Sequence, residues 1–140
     1  CKPVPILYFM FGNMGLDEWV HDLADGDRLQ QILELTEQGL KEGAIGIGCA
    51  WGYAPGAGLK ELEALWELAA KYGRPTYTHV QNLSMLDPDS SFKNHVELVG
   101  LAATSGAHTH ICHLNSTSLH DIPSTRRVVA SRVANSWFLT

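Results

Sequence analysis

Two histidines stand where short apolar runs of the chain end. His79 closes the run 75–79, and His113 closes the run 107–113. If the two runs are neighbouring parallel strands of a barrel, both imidazoles lie on the carboxyl-terminal rim, where such barrels place their active sites. Neutral imidazole is a common metal ligand, and zinc prefers nitrogen and sulfur donors. The spacing therefore predicts that His79 and His113 bind a metal together.

The other histidines are weaker candidates. His108 and His110 share the run of His113, but successive residues of a strand point to opposite faces. If His113 faces the barrel interior, His108 and His110 face the helix layer, and we expect them to pack there. The remaining histidines fall in loops or on helix surfaces, where we expect contact with solvent: His21, His95 and His120.

The cysteines indicate packing more than metal chemistry. Cys49 ends a strand-like run, and a thiolate there could bind zinc, but a buried packing thiol is the favoured interpretation. Cys112 alternates with His113 and should point into the core between strand and helix. Three cysteines without CxxC spacing favour reduced thiols in a cytoplasmic protein over a disulfide framework. Trp51 and Trp66 are expected to fill the core.

Strand-like and helix-like segments alternate along the chain. The strand-like runs are separated by segments whose apolar residues have helical spacing. Gly43, Gly73 and Gly106 are placed to end these helices. This alternation predicts parallel strands joined by right-handed crossovers. The expected strands are residues 4–11, 44–49, 76–80 and 107–113.

Two architectures accommodate this order of elements, a doubly wound sheet and part of a (β/α)8 barrel. The glycine-rich turn GxGxxG of doubly wound dinucleotide binders is absent. A complete barrel needs about 250 residues, and the chain has 140. We therefore predict an α/β fold that is about half of a TIM barrel. Because a strand-like run follows Cys1 almost at once, we expect residues 1–140 to be one fragment of a larger domain.

The charge and hydropathy patterns exclude two classes of partner. The formal net charge is −5, without clustered basic residues, so no nucleic-acid partner is expected. No apolar stretch reaches the length of about 20 residues that spans a membrane, so no membrane partner is expected. A small molecule is the predicted partner.

Four motifs occur in an order that resembles a known family. They are GLKEGAIGIG at 39–48, YAPGA at 53–57, YTHV at 77–80 and ICHL at 111–114. Together they resemble the N-acyl-D-amino-acid deacylases of the amidohydrolase superfamily, which include D-aminoacylases and N-acyl-D-glutamate deacylases. The resemblance extends from about residue 35 to about residue 118 and is carried by the combination of motifs.

The resemblance implies a TIM barrel that carries one or two zinc ions and hydrolyses the amide bond of an N-acyl-D-amino acid. His79 on the fifth strand and His113 on the sixth would be zinc ligands, so the chain would supply roughly strands three to six. Tyr53 matches a tyrosine that helps to hold the substrate carboxylate. From the residues alone, Tyr53 is as well explained by packing against Pro55.

This chain also departs from the family pattern. The family's His-x-His, its metal-ligand cysteine and its catalytic aspartate have no counterpart, and the resemblance places them before Cys1 and beyond Thr140. We therefore expect no catalytic residue in this chain. Gln81 and Asn115 stand where the family often has Arg and Lys, and they are predicted to contact substrate without a cation. Residues 128–140 are atypical for the family.

Three hypotheses for function follow. The first is part of a zinc-dependent deacylase that is inactive alone. The second is a non-catalytic metal-binding or self-assembling fragment, in which two copies form a homodimer through open strand edges. The third is a stand-alone doubly wound domain that binds a small molecule, in which the two histidines are incidental.

Overall fold

The computed structural model describes residues 21–24, 26–54, 56–82, 90–133 and 138–139. Parallel strands alternate with helices, and short 3-10 turns lie at Trp51–Tyr53 and Leu119–Asp121. The helices and strands, in chain order, are α1 (Gly26–Lys41), β1 (Ile47–Ala50), α2 (Leu59–Lys71), β2 (Thr76–His79), α3 (Ser90–Ser105), β3 (Thr109–Ile111), α4 (Leu114–Ser118), α5 (Ile122–Val133) and β4 (Phe138–Leu139).

The four strands form one sheet in the order β1-β2-β3-β4, and every neighbouring pair is parallel. A doubly wound sheet reverses its strand order at a switch point, whereas these strands follow one another as the staves of a barrel do. The predicted partial (β/α)8 barrel is confirmed. The strand expected at residues 4–11 lies outside the described residues. Strand β4 was not predicted, and it falls within the atypical segment 128–140.

Glycines end the three longest helices. Gly43, Gly73 and Gly106 follow α1, α2 and α3 with φ values of 105°, 59° and 72°. A residue with positive φ just past a helix satisfies its last carbonyls, and glycine adopts this conformation without strain from a Cβ. The helix ends expected at these glycines are confirmed.

The core lies between the sheet and the helices. Leu62, Leu65 and Trp66 of α2 are completely buried, and the Trp66 indole donates a hydrogen bond of 2.9 Å to the Thr109 hydroxyl of β3. The predicted core position of Trp66 is confirmed, and Trp51 is also buried. Buried and half-buried residues alternate along β1, β2 and β3. One face of the sheet therefore packs on the helices, and the opposite face carries half-buried side chains.

The prediction that His95 contacts solvent is wrong. His95 is completely buried on α3, because it shares a helix face with Leu98 and Ala102, three and seven residues later. His21 and His120 are exposed, as expected.

Among the helices that the structure describes, none is both long and apolar enough to cross a membrane.

Candidate functional site

The structure brings His79 and His113 together. His79 is the last residue of β2, and His113 follows the end of β3 by two residues. The His79 Nδ1 atom lies 2.9 Å from the His113 Nε2 atom. The ring centroids are 4.6 Å apart with an interplanar angle of 68°, so one ring meets the other by its edge.

The conformation of His113 explains how its ring reaches His79. The residue has φ 40° and ψ 49° and stands immediately before α4. Its carbonyl accepts hydrogen bonds from the backbone N–H groups of Ser116 and Thr117, at 3.0 and 3.2 Å. The left-handed region is uncommon for residues other than glycine, although histidine is enriched there. The turn thus redirects the chain between strand and helix while keeping the imidazole at the rim.

The expectation that His110 faces the helix layer is wrong. His110 stands opposite Tyr77 in the sheet register, and their ring centroids are 5.5 Å apart. Tyr77 and His79 alternate with the buried Thr78, so His110 and His79 lie on the same sheet face. The prediction assumes that side chains alternate between the two sheet faces as far as His113. However, β3 ends at Ile111, and the left-handed conformation of His113 breaks the two-residue period.

Tyr53 packs on His79. It lies in the 3-10 turn that directly follows β1. Its ring is nearly parallel to the His79 ring, with centroids 4.9 Å apart and an interplanar angle of 14°. Tyr53 is 44% exposed, so its ring lies at the surface of the rim. The alternative contact with Pro55 falls on a residue outside the described part of the chain.

Gly52 makes room for His79, and the sequence analysis missed it. A Cβ at position 52 would lie 2.6 Å from the Val80 carbonyl oxygen and 2.8 Å from His79 Cδ2. Both distances are too short for a real side chain, so glycine is required here for close approach. The signal in the sequence was the glycine between two aromatic residues, Trp51 and Tyr53, just past a strand.

A buried amide holds the loop after β2. Asn94 of α3 is 2% exposed, and its Oδ1 accepts hydrogen bonds from the backbone N–H and the side-chain amide of Asn82, each at 3.0 Å. Its own amide nitrogen donates to Glu97 at 3.0 Å. This network fixes the loop that carries Gln81, which is half-buried. Periodicity alone placed Asn94 on a helix and gave no sign of this contact.

Asn115 lies on the same rim, two residues past His113, and is exposed. It belongs to α4, and its carbonyl accepts a hydrogen bond from the Leu119 N–H. The predicted substrate contacts of Tyr53, Gln81 and Asn115 stay predictions.

The local electrostatics favour a neutral imidazole at His79. Burial lowers the pKa of His79, and the nearby His113 lowers it further. The neutral form is the one that binds a metal. Cys49 is 2% exposed, and burial raises the pKa of its thiol to about 12. Cys49 is therefore a packing thiol, as expected, and since it stands opposite Thr78 it points to the other sheet face from His79.

The two histidines fit part of a zinc site. At zinc–nitrogen bonds of about 2.0–2.1 Å, two ligands of a tetrahedral ion are separated by about 3.3 Å. The observed 2.9 Å between His79 Nδ1 and His113 Nε2 needs to open by only a few tenths of an ångström. Within the described ranges, no group of three or more His, Cys, Asp or Glu residues is placed to hold a metal. Among the described residues, the pair thus fits at most two ligands of a metal site.

Comparison with solved structures identifies the architecture. A D-aminoacylase structure superimposes with a TM-score of 0.67 and 18% sequence identity, over 89% of this chain and 26% of that chain. A D-aminoacylase variant in complex with copper chloride has the same TM-score, 0.67. An N-acyl-D-glutamate deacylase from Bordetella bronchiseptica, complexed with zinc and a phosphonate inhibitor, gives a TM-score of 0.63 at 18% identity, over 87% of this chain.

The chain has an amidohydrolase-like fold. At this identity the likeness shows the fold alone. The chain spans 26% of the length of each of these three structures, so it corresponds to one section of an amidohydrolase-like barrel. No protein-family model and no curated protein sequence matches it.

Proposed function

We propose that this chain is part of a zinc-dependent amidohydrolase that hydrolyses the amide bond of N-acyl-D-amino acids, and that His79 and His113 supply two of the zinc ligands. The observation that carries the proposal is the 2.9 Å separation of His79 Nδ1 and His113 Nε2. Two ring nitrogens that converge at the rim of a parallel barrel have a separation compatible with neighbouring ligands of one ion, which supports the proposal.

The structural neighbours support the choice of reaction. Two of them are described as D-aminoacylases, and a third is an N-acyl-D-glutamate deacylase bound to zinc and to a mimic of the tetrahedral intermediate. When bound, zinc acts as a Lewis acid on an amide carbonyl and lowers the pKa of water. The further metal ligands and the general base come from outside the described residues.

This chain's own residues would serve to bind and orient the substrate. Burial lowers the pKa of His79, which favours the neutral ring that can bind a cation. Gln81 and Asn115 present amide groups at the rim and can hydrogen-bond a substrate carboxylate without a formal charge. Because neither of these two amides carries a positive charge, they offer no ion pair to an additional carboxylate on the substrate side chain.

Calorimetric titration with zinc chloride tests the proposed ligands. We expect His79→Asn and His113→Asn each to weaken zinc binding by more than about tenfold, because even the outer-shell partners of metal ligands typically contribute 10–100-fold. Asparagine suits position 113, since it tolerates the left-handed conformation.

The matched control is His110→Asn. His110 lies on the same sheet face, but its ring contacts Tyr77, so zinc affinity should stay at the wild-type value. Wild-type affinity in the double variant of His79 and His113 would place any metal elsewhere and refute the proposal.

A non-catalytic metal-binding fragment is the second candidate. The absence of a third ligand among the described residues favours it. The same titration on a longer reading frame that includes the flanking sequence separates the two, because a catalytic centre gains affinity and deacylase activity when its remaining ligands are added.

A further inference from the structure

We propose that Gly52 and Tyr53 form a clamp that fixes the imidazole plane of His79, which makes both of them positioning residues for the metal. The inference rests on the proposed zinc function, but its geometry is independent of the metal. It assigns to the Tyr53 ring a role that differs from the substrate contact predicted for its hydroxyl group.

The first half of the clamp is the aromatic stack. The Tyr53 ring lies almost parallel to the His79 ring, at 14°, with centroids 4.9 Å apart. Rotation of the imidazole about its Cβ–Cγ bond would drive its edge into the tyrosine ring. The stack therefore restricts the torsion that aims the His79 nitrogens.

The second half is the close approach of Gly52. A Cβ at this position would lie 2.8 and 2.9 Å from the Cδ2 and Nε2 atoms of His79, so the glycine backbone covers that edge of the imidazole. The opposite edge presents Nδ1 to His113. Flipping the ring by a half turn would exchange Nδ1 for Cδ2, and carbon cannot bind a metal. The clamp thus restrains the ring plane, and the orientation observed within that plane presents Nδ1 to His113.

The turn that carries the clamp is itself anchored. Trp51 is 3% exposed, and its indole nitrogen donates a hydrogen bond of 3.1 Å to the Ala57 carbonyl. The Ala54 N–H donates to the Trp51 carbonyl at 3.1 Å. A turn fixed at both ends can hold a neighbouring ring, because little conformational freedom is left for it to lose.

Two substitutions at Tyr53 separate its ring from its hydroxyl. Tyr53→Phe keeps the stack and removes the hydroxyl, whereas Tyr53→Leu removes both. The matched control is Tyr72→Leu. Tyr72 lies just after α2 and donates a hydrogen bond to Glu37 of α1, away from the clamp. Gly52→Ala is a second, less selective route, since its Cβ would press on the Val80 carbonyl oxygen at 2.6 Å as well as on the His79 ring.

The experiment combines two measurements on the full chain. In the metal-free protein, NMR of the His79 ring protons, assigned by their absence in His79→Asn, reports the ring current of Tyr53. We expect these signals to move in Tyr53→Leu and Gly52→Ala and to stay in place in Tyr53→Phe. In zinc chloride titrations, Tyr53→Leu should bind roughly tenfold more weakly than wild type, and Tyr53→Phe and Tyr72→Leu should match wild type.

The outcomes distinguish this inference from the proposed function. Zinc binding by Tyr53→Leu at wild-type affinity would overturn the clamp, and so would equal loss in Tyr53→Phe and Tyr53→Leu. If the wild-type chain binds no zinc, the proposed function fails. The NMR signals of the His79 ring protons then decide whether the clamp exists. Movement in the leucine variant but not in the phenylalanine variant then supports the clamp, and no movement in either overturns it.

Discussion

His113 adopts φ 40° and ψ 49°, a conformation that costs a residue with a Cβ of the order of 1 kcal/mol or more. The hydrogen bonds that its carbonyl accepts from Ser116 and Thr117 belong to the first turn of α4 and offset part of that cost. This strained residue is the one that places an imidazole against His79. Strained backbone that its surroundings hold in place clusters at functional sites, and here it stands beside two converging imidazoles.

At the same scale, the two described cysteines should differ in reactivity. Burial raises the pKa of Cys49 to about 12, so very little of it is thiolate, the reactive form, near neutral pH. Cys112 is half-buried, and burial raises its pKa as well. We expect iodoacetamide to modify Cys112 well before Cys49 in the native chain, as followed by peptide mass spectrometry.

Labelling in urea is the control for this comparison, since unfolding should make the two cysteines equally reactive. Rapid native modification of Cys49 would mean that the thiol is accessible and ionised, contrary to its position between the sheet and the helices.

At the scale of elements, the helices end where glycine permits a positive φ, and the strands end where the site begins. Gly73 has φ 59° and turns the chain from α2 towards β2, which delivers His79 to the rim. Asn94 on α3 then ties the following loop by accepting two hydrogen bonds from Asn82. The strand that carries His79 is thus held by the Gly73 turn before it and by the contact of Asn82 with Asn94 after it.

Two glycine substitutions should change stability in opposite directions. Gly73→Ala forces an alanine into the left-handed region and should destabilise the chain by about 1–2 kcal/mol. Gly100→Ala lies within α3, is exposed and has no atom within 4 Å of the added Cβ, so it should stabilise by up to about 1 kcal/mol. Urea unfolding followed by circular dichroism measures both. Equal shifts of the two variants would contradict the assigned backbone conformations.

At the scale of the whole molecule, the sheet has one face packed on helices and one face that carries the site. Strand residues on the packed face, such as Thr76 and Thr78, are completely buried, while His79 and His110 on the other face are half-buried. In a partial barrel, the inner face of the sheet lacks the strands that would lie across from it in a complete barrel. Pairing of two copies through open edges stays a prediction.

An ionic cluster links α1 to α2 and should make the stability of the molecule depend on pH. The Glu37 carboxylate accepts hydrogen bonds from Lys71 and Tyr72 at 2.6 and 2.8 Å and pairs with Lys41 at 3.1 Å. The hydrogen bond from Lys71 is the largest cause that lowers the pKa of Glu37 from 4.5 to about 2. Because the folded pKa is below the unfolded one, the stabilisation is complete above 4.5 and is lost as the pH falls towards 2.

Glu37→Gln should therefore be less stable than wild type at about pH 7, and the difference should shrink between about pH 4.5 and about pH 2. Urea midpoints measured across this range check the prediction. Glu34→Gln is the matched control on the same helix, since the Glu34 carboxylate is exposed and bonded to Gln30. If the difference in stability between Glu37→Gln and wild type were just as large at about pH 2, this would contradict the proposed role of the Glu37 charge.

Much of the site could be predicted from local pattern. His79 ends an apolar run and Gly73 precedes it, which are signals that lie within a few residues of one another. The burial of His95 was predicted wrongly because it depends on which face of α3 meets the sheet. The orientation of His110 was predicted wrongly because alternation was extended past the last paired residue of β3, Ile111.

The sequence by itself determined the alternation of strands and helices, the glycines that end the helices and the pair of histidines at strand ends. These follow from hydrophobic period and backbone sterics, which act between residues close in the chain. Only the tertiary structure decided that Tyr53 stacks on His79, that Gly52 lies against the same ring and that Asn94 holds the loop beside it. The contacts of Tyr53 and Gly52 join residues from separate βα units, and the packing of those units in one sheet sets their distances. Asn82 and Asn94 belong to one unit, but their contact depends on which face of α3 turns towards the loop.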